Sequence, residues 1–138
     1  MELEEASLIL NTASEKSLVL LDELGRGTAT HDGTAIAKSV LGHLLNKIKC
    51  ATLFVTHFKS LTQVFAESQV ISKHMGFMTS PEDESDDVLF LYKLNEGASK
   101  NSFGINVAKM AEIPDSIVQH ASELSDFYEI LCNESLNQ

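Results

Sequence analysis

The chain has 138 residues, enough for one domain with one modest hydrophobic core. Its hydrophobic content of 43% is typical of a folded protein and argues against a disordered tail. The net charge is −10, and no lysine or arginine follows Lys109. Affinity for nucleic acid depends mainly on contacts between cationic side chains and phosphates. The segment after Lys109 is therefore not expected to bind DNA.

The first half of the chain predicts a strand–helix–strand unit. Helical spacing of apolar residues predicts a helix over 4–13, and the unbroken apolar run 17–21 predicts a parallel strand buried on both faces. After a glycine-containing loop, Asp32 is the expected N-cap of a helix through Leu45. A second buried strand is expected over 51–55. Two such strands joined by a helix form a parallel βαβ unit with a right-handed crossover.

The second half predicts an edge hairpin and then a helical tail. Two strands, over 70–78 and 88–94, are joined by an acidic loop and are expected to pair antiparallel at the edge of the sheet. Two helical patterns follow, separated near Pro114. The chain is therefore predicted to be an α/β domain over 1–100 with a helical tail over 101–138. One face of the second helix carries an apolar stripe of Ile117, Ala121, Leu124, Tyr128 and Leu131.

Polar residues follow both predicted parallel strands where they end. Asp22 and Glu23 follow the first strand, and Thr56 and His57 follow the second. Functional groups in parallel sheets gather at the carboxyl ends of strands, so these four side chains are expected to converge. The set suits phosphoryl transfer, in which one carboxylate holds Mg²⁺, the next orients a water, and a histidine stabilises the γ-phosphate.

Each of these features alone has a structural explanation. A strand that meets a turn commonly ends in Asp-Glu, a lone histidine such as His57 is more often a hydrogen-bonded structural residue, and Gly25 and Gly27 can simply form a turn. The catalytic interpretation depends on five features in register. They are the apolar run, "DE", "LGRGT", the helix start "DGTA", and a second apolar strand that ends in "TH".

Three segments together resemble one protein family. The segment "LVLLDELGRGTATHDGTAIA" closely resembles the Walker B and D-loop region of the MutS family of DNA mismatch-repair ATPases. The segment "TLFVTHF" resembles its switch-histidine region, and "NSFGINVAKMAEIP" resembles the start of its C-terminal helix-turn-helix. The resemblance covers essentially the whole chain. The segments "HMGF" and "VLFLYKL" look most like eukaryotic MutS homologue three, while "GRGTATHDGTAIA" also suits homologue six.

The resemblance implies a fold and a role for each residue of the motif. The fold is part of an ABC-type P-loop ATPase sheet, the Walker B half. Asp22 is the implied Mg²⁺ ligand, Glu23 polarises the attacking water, and His57 lies near the γ-phosphate of ATP. The helical tail is expected to contribute to dimer contacts. The implied D-loop, which contacts the nucleotide site of the partner subunit, comprises Gly25, Arg26, Gly27 and Thr28.

One part of the family pattern is missing from this sequence. No GxxxxGK[ST] motif occurs, and such a loop is needed to wrap phosphates with backbone N–H groups. In the family this loop and the signature serine and threonine lie upstream of residue 1. We therefore expect that the isolated chain does not hydrolyse ATP, and that the strand over 17–21 leaves apolar surface open.

Three functions are compatible with these sequence features. The first is the C-terminal half of a MutS-type ATPase domain. With ATP and Mg²⁺ as cofactors, the complete protein would couple ATP binding and hydrolysis to recognition of mismatches or insertion/deletion loops, as part of a nuclear heterodimer. The second is a non-catalytic interaction module that docks on an intact MutS-type subunit. The third is a DNA-binding helix-turn-helix over 101–131, which the lack of Lys and Arg after Lys109 disfavours. Mismatched DNA is expected to bind the complete protein rather than this segment, and no membrane contact is expected.

Overall fold

The computed structural model describes residues 2–65, 70–79, 88–99 and 102–135. The helices are α1 (Glu2–Thr12), α2 (Thr30–His43), α3 (Lys59–Val64), α4 (Gly104–Met110) and α5 (Asp115–Ser135). The strands are β1 (Leu18–Asp22), β2 (Ala51–Val55), β3 (Lys73–Thr79) and β4 (Val88–Glu96). This mixture of helices and strands confirms the α/β class. The chain divides into two compact units, Met1–Ile71 and Ser72–Gln138, while the predicted domain boundary near residue 100 stays a prediction.

The first unit contains the predicted parallel pair of strands. β1 and β2 pair in register from Leu18 opposite Ala51 to Asp22 opposite Val55. Helix α2 lies between them in the chain, so the strand–helix–strand prediction is confirmed, and β2 has the predicted bounds. Parallel strands need such a long crossover because the chain must return to the same end of the sheet.

One face of this strand pair is closed by helices. Val19 and Leu21 of β1 point to this face and are buried. They pack with Leu24 and with residues of α1 and of the segment that follows α2. The buried members of this cluster are Ala6, Val19, Leu21, Leu24 and Leu44.

The opposite face is open, so the prediction of a strand buried on both faces is wrong for this chain. Side chains alternate along a strand, and every second residue of β1 is exposed. The helices of this unit pack on the other face, so the open face keeps its apolar side chains in solvent. The expectation of open apolar surface is thereby confirmed. The exposed residues are Leu18, Leu20, Leu53 and Val55, at 56–63% relative exposure.

Helix α2 begins before its predicted cap. Ala29 occupies the N-cap position without a side-chain hydrogen bond, and Asp32 lies inside the first turn. The prediction that Asp32 is the N-cap is therefore wrong, although a carboxylate there still favours the positive end of the helix dipole. The helix continues as a π-helical segment, Leu44–Ile48, which ends where Lys49 adopts the left-handed conformation.

The second unit contains the predicted antiparallel hairpin. β3 and β4 pair from Lys73 opposite Glu96 to Thr79 opposite Val88, with a register shift between Met75 and Phe77. The described strands form two separate two-stranded sheets, because β3 and β4 pair with each other and β1 pairs with β2. The prediction that the hairpin forms the edge of the β1–β2 sheet is therefore wrong for the described residues. The predicted acidic loop between β3 and β4 lies outside them.

The two tail helices are confirmed. Helix α4 ends in a turn in which Glu112 adopts the left-handed conformation and its N–H donates to the Lys109 carbonyl. Pro114 directly precedes α5, and its carbonyl accepts hydrogen bonds from the N–H groups of Ile117 and Val118. Val118 is buried, whereas most of the predicted apolar stripe is exposed. The exposed large apolar side chains of α5 are Ile117, Leu124, Phe127, Tyr128, Ile130 and Leu131.

Candidate active site

Both parallel strands end at the same edge of the first unit. Asp22 is the last residue of β1 and pairs with Val55, the last residue of β2. The ladder extends one step further, because the Glu23 N–H donates to the Val55 carbonyl at 2.9 Å. The residues that follow each strand are thereby brought side by side, which is the geometry expected for a functional edge of a parallel sheet.

Glu23 lies between a histidine and an arginine. Its Oε1 is 3.8 Å from Nδ1 of His57, and its Oε2 forms an ion pair with the Arg26 guanidinium. About a third of the Glu23 side chain is exposed, against half of His57. A carboxylate placed in this way can accept a proton from a water at the edge of the sheet, with the imidazole ring close to the same water.

His57 is fixed by the turn that follows β2. The Thr56 hydroxyl accepts a hydrogen bond from the Phe58 N–H at 3.0 Å. The His57 ring packs against the ring of Phe58 with centroids 4.3 Å apart, and Phe58 is itself buried. Of the four side chains predicted to converge, Glu23 and His57 are brought together, while the Thr56 hydroxyl holds the local turn.

Asp22 points to the open face of the strand pair. It shares this face with Leu18 and Leu20, because side chains alternate along β1. Its carboxylate is exposed there, and carboxylate oxygens are ligands that Mg²⁺ prefers. Among the described residues, no group of three or more His, Cys, Asp and Glu side chains is arranged to hold a metal ion. Asp22 therefore fits a metal as a single ligand, and this part of the chain does not build a complete metal site.

The predicted D-loop residues form a tight turn beyond β1. Gly25 has a φ of +91°, and a Cβ there would lie 2.7 Å from the carbonyl oxygen of Gly33 in α2. Glycine is therefore required at position 25 for both its conformation and its close approach. Arg26, Gly27 and Thr28 are exposed, so the tip of the turn can be reached by another molecule.

A further residue of this site is not evident in the sequence pattern. The Glu2 side chain, at the start of α1, accepts a hydrogen bond from the Gly25 N–H through Oε1 at 2.6 Å. An acidic residue in the first turn of a helix is ordinary, because it complements the helix dipole. No spacing rule relates it to a turn 23 residues later.

Two further observations concern membrane contact and the thiols. Among the residues that the structure describes, no helix combines the length and the apolar character needed to cross a membrane. Cys50 is half-buried and has a free thiol.

Comparison with known proteins shows the family. The model for MutS domain V matches residues 1–129. The probable DNA mismatch repair protein Msh6 of Drosophila melanogaster is 52% identical over 130 residues, which is 91% of this chain and 11% of the relative. The DNA mismatch repair protein msh3 of Aspergillus niger is 41% identical over 128 residues, with the same two coverages. This chain thus spans about a tenth of the length of these relatives, and it belongs to the MutS family as a domain V sequence.

Proposed function

We propose that this chain supplies the carboxylate and histidine side of the ATPase site of a DNA mismatch-repair protein. In the complete protein, ATP binding and hydrolysis at this site would be coupled to recognition of mismatches or insertion/deletion loops. The placement of Glu23 3.8 Å from His57, next to Asp22 at the end of a parallel strand, carries the proposal. Membership of the MutS family and the mismatch-repair names of the relatives support it.

Each residue of the edge has a separate proposed task. Asp22 offers one oxygen ligand for Mg²⁺ on the open face, and His57 lies where it can stabilise a terminal phosphate. Glu23 orients a water and takes its proton. When bound, Mg²⁺ and ATP supply a Lewis acid and the phosphate that is attacked. The D-loop turn is proposed to contact the nucleotide site of a partner subunit, and it comprises Gly25, Arg26, Gly27 and Thr28.

We propose that β1 and β2 belong to a larger P-loop ATPase sheet of the ABC type, of which this chain holds the Walker B half. All-parallel sheets normally have both faces covered and contain more than two strands. The open apolar face of β1 and β2 is the surface that such a sheet would bury. The phosphate-binding loop would face Asp22 there. The division into an ATPase half over 1–100 and a dimerisation tail over 101–138 belongs to the same proposal.

The surroundings of this segment are also proposals. Another MutS-type subunit is the proposed partner, in a heterodimer that acts in the nucleus. Mismatched DNA is proposed to meet other parts of the complete protein, because the chain has a net charge of −10 and no Lys or Arg after Lys109.

The decisive experiment uses a chimera. The matching segment of the Drosophila Msh6 relative is replaced by this chain, and ATP hydrolysis is measured with and without Glu23→Gln. We expect kcat to fall at least about 100-fold, because a positioned general base contributes that much, while ATP binding stays within about twofold. Glu15→Gln, an exposed carboxylate in the turn after α1, is the matched control and should leave kcat unchanged. Equal kcat values for Glu23→Gln and Glu15→Gln would contradict the proposed role.

A second candidate function is a docking module, and the exposed apolar side chains of α5 favour it. A helix face of this kind is commonly buried against a partner. We expect the chain to co-purify with an intact MutS-type subunit, and Tyr128→Glu to abolish the complex. Ser125→Glu adds the same charge at a polar position of α5 and serves as the control. If both variants co-purify equally with the intact subunit, α5 does not support the docking function.

A further inference from the structure

The turn after β1 has an unusual backbone. Glu23 and Gly25 both lie in the left-handed region, with φ of +50° and +91°. Residues other than glycine rarely adopt this backbone conformation, so the surroundings of Glu23 must hold it there. Because the backbone of Glu23 determines where its carboxylate points, whatever holds this turn also sets the position of Glu23 relative to His57.

Several contacts hold the turn from the closed side of the unit. Leu24 is buried in the core at 1% exposure. The backbone of Gly25 packs directly on that of Gly33. The Glu23 N–H donates to the Val55 carbonyl. These contacts fix the base of the turn, but they leave the Gly25 N–H to be satisfied by another group.

That group is the carboxylate of Glu2. Its Oε1 accepts from the Gly25 N–H at 2.6 Å, and its Oε2 lies 3.9 Å from the position that a Cβ on Gly27 would occupy. A hydrogen bond to a charged acceptor is about twice as strong as a neutral one, and this one is partly buried. The bond joins the first residue of α1 to the turn that carries the proposed catalytic carboxylate.

We propose that Glu2 is a positioning residue, which holds the 23–28 turn so that Glu23 faces His57. The effect on catalysis rests on the proposed function, whereas the hydrogen bond between Glu2 and Gly25 is observed independently of it. Without the Glu2 carboxylate, the Gly25 N–H loses its charged acceptor and the left-handed turn relaxes. The Glu23 carboxylate then leaves its position 3.8 Å from His57 Nδ1.

An alternative is that Glu2 only stabilises its own helix. The first turn of α1 contains Glu2, Glu4 and Glu5, which all complement the positive end of the helix dipole. In that case Glu2 and Glu5 are interchangeable, and loss of either affects the amides of α1 rather than that of Gly25. Glu5→Ala and Glu5→Gln are therefore the matched controls.

The test is amide hydrogen exchange and proton chemical shift by NMR on the 138-residue chain without nucleotide. With Glu2→Ala we expect the Gly25 amide to exchange about tenfold faster, from the loss of a charge-assisted bond. Glu5→Ala should change this rate by less than about twofold. Equal changes at Gly25 in the two variants, or no change in either, would overturn the proposal.

A milder variant covers the case in which Glu2→Ala unfolds the chain. Glu2→Gln keeps an oxygen acceptor but removes the charge, so we expect an intermediate exchange rate and an upfield shift of the Gly25 amide proton. This shift should exceed that of any α1 amide, and Glu5→Gln should not produce it.

An unchanged Gly25 resonance in Glu2→Gln would overturn the role of Glu2 and leave the ATPase proposal intact. Failure of Glu23→Gln to slow hydrolysis would overturn the ATPase proposal and leave the Glu2 contact intact.

Discussion

The two faces of the β1–β2 pair differ although their residues are of the same type. Leu20 and Leu21 are neighbours in one apolar run, yet Leu20 is 63% exposed and Leu21 is 8% exposed. The helices of the first unit cover the face of Leu21. The face of Leu20 is open and also presents Asp22. An unbroken apolar strand is typical of a sheet with two covers. In the larger sheet proposed above, the open face is the one that a second layer of helices would cover.

The largest expected effect comes from a matched pair of leucine truncations. Leu21→Ala removes packing from the closed cluster and should lower the free energy of unfolding by about 3 kcal/mol. Leu20→Ala removes the same atoms from the open face and should change it by less than about 0.5 kcal/mol. Urea unfolding followed by circular dichroism measures both variants. Equal losses would mean that the open face is covered in solution.

The closed side of the turn can be tested through two glycines of α2. A Cβ on Gly33 would meet the carbonyl of Gly25, so Gly33→Ala should destabilise the chain by about 2 kcal/mol. A Cβ on Gly42 would be 3.9 Å from the Phe65 ring, an ordinary contact. Gly42→Ala should therefore stabilise the chain by about 0.5–1 kcal/mol, because alanine loses less entropy in a helix. Thermal unfolding of both variants gives the sign, and a neutral Gly33→Ala would show that the turn does not pack on α2.

The fold could be predicted from the sequence wherever the signal is local. The apolar run over 51–55 predicts β2, and the structure has this strand with the same bounds. The start of α2 could not be predicted in the same way, because Asp32 fits an N-cap and a first-turn residue equally well. The relation of the hairpin to the β1–β2 sheet depends on pairing between strands far apart in the chain, which no local pattern records.

The candidate site also contains residues that the sequence could predict and residues that it could not. Glu23 and His57 could be predicted to lie close together, because Glu23 directly follows β1, His57 is the second residue after β2, and both strands end at one edge. Glu2 could not be predicted, because its partner is a backbone N–H 23 residues away and its own position looks like an ordinary helix start. Strand alternation accounts for the exposed position of Asp22 on the open face, whereas no local pattern predicts the left-handed turn at Glu23.

The smallest expected effect is at Arg26, whose ion pair with Glu23 lies on the solvent side of the turn. The Arg26 side chain is 72% exposed, and exposed ion pairs contribute at most about 1 kcal/mol. A double-mutant cycle of Arg26→Ala and Glu23→Gln should give a coupling energy in the free energy of unfolding below about 0.5 kcal/mol, which falls as salt is added. A salt-independent coupling above about 1.5 kcal/mol would show that the pair is shielded from solvent. Weak coupling, in contrast, means that Arg26 can leave Glu23 at little cost. The carboxylate would then be available to a water while the turn stays anchored on its closed side.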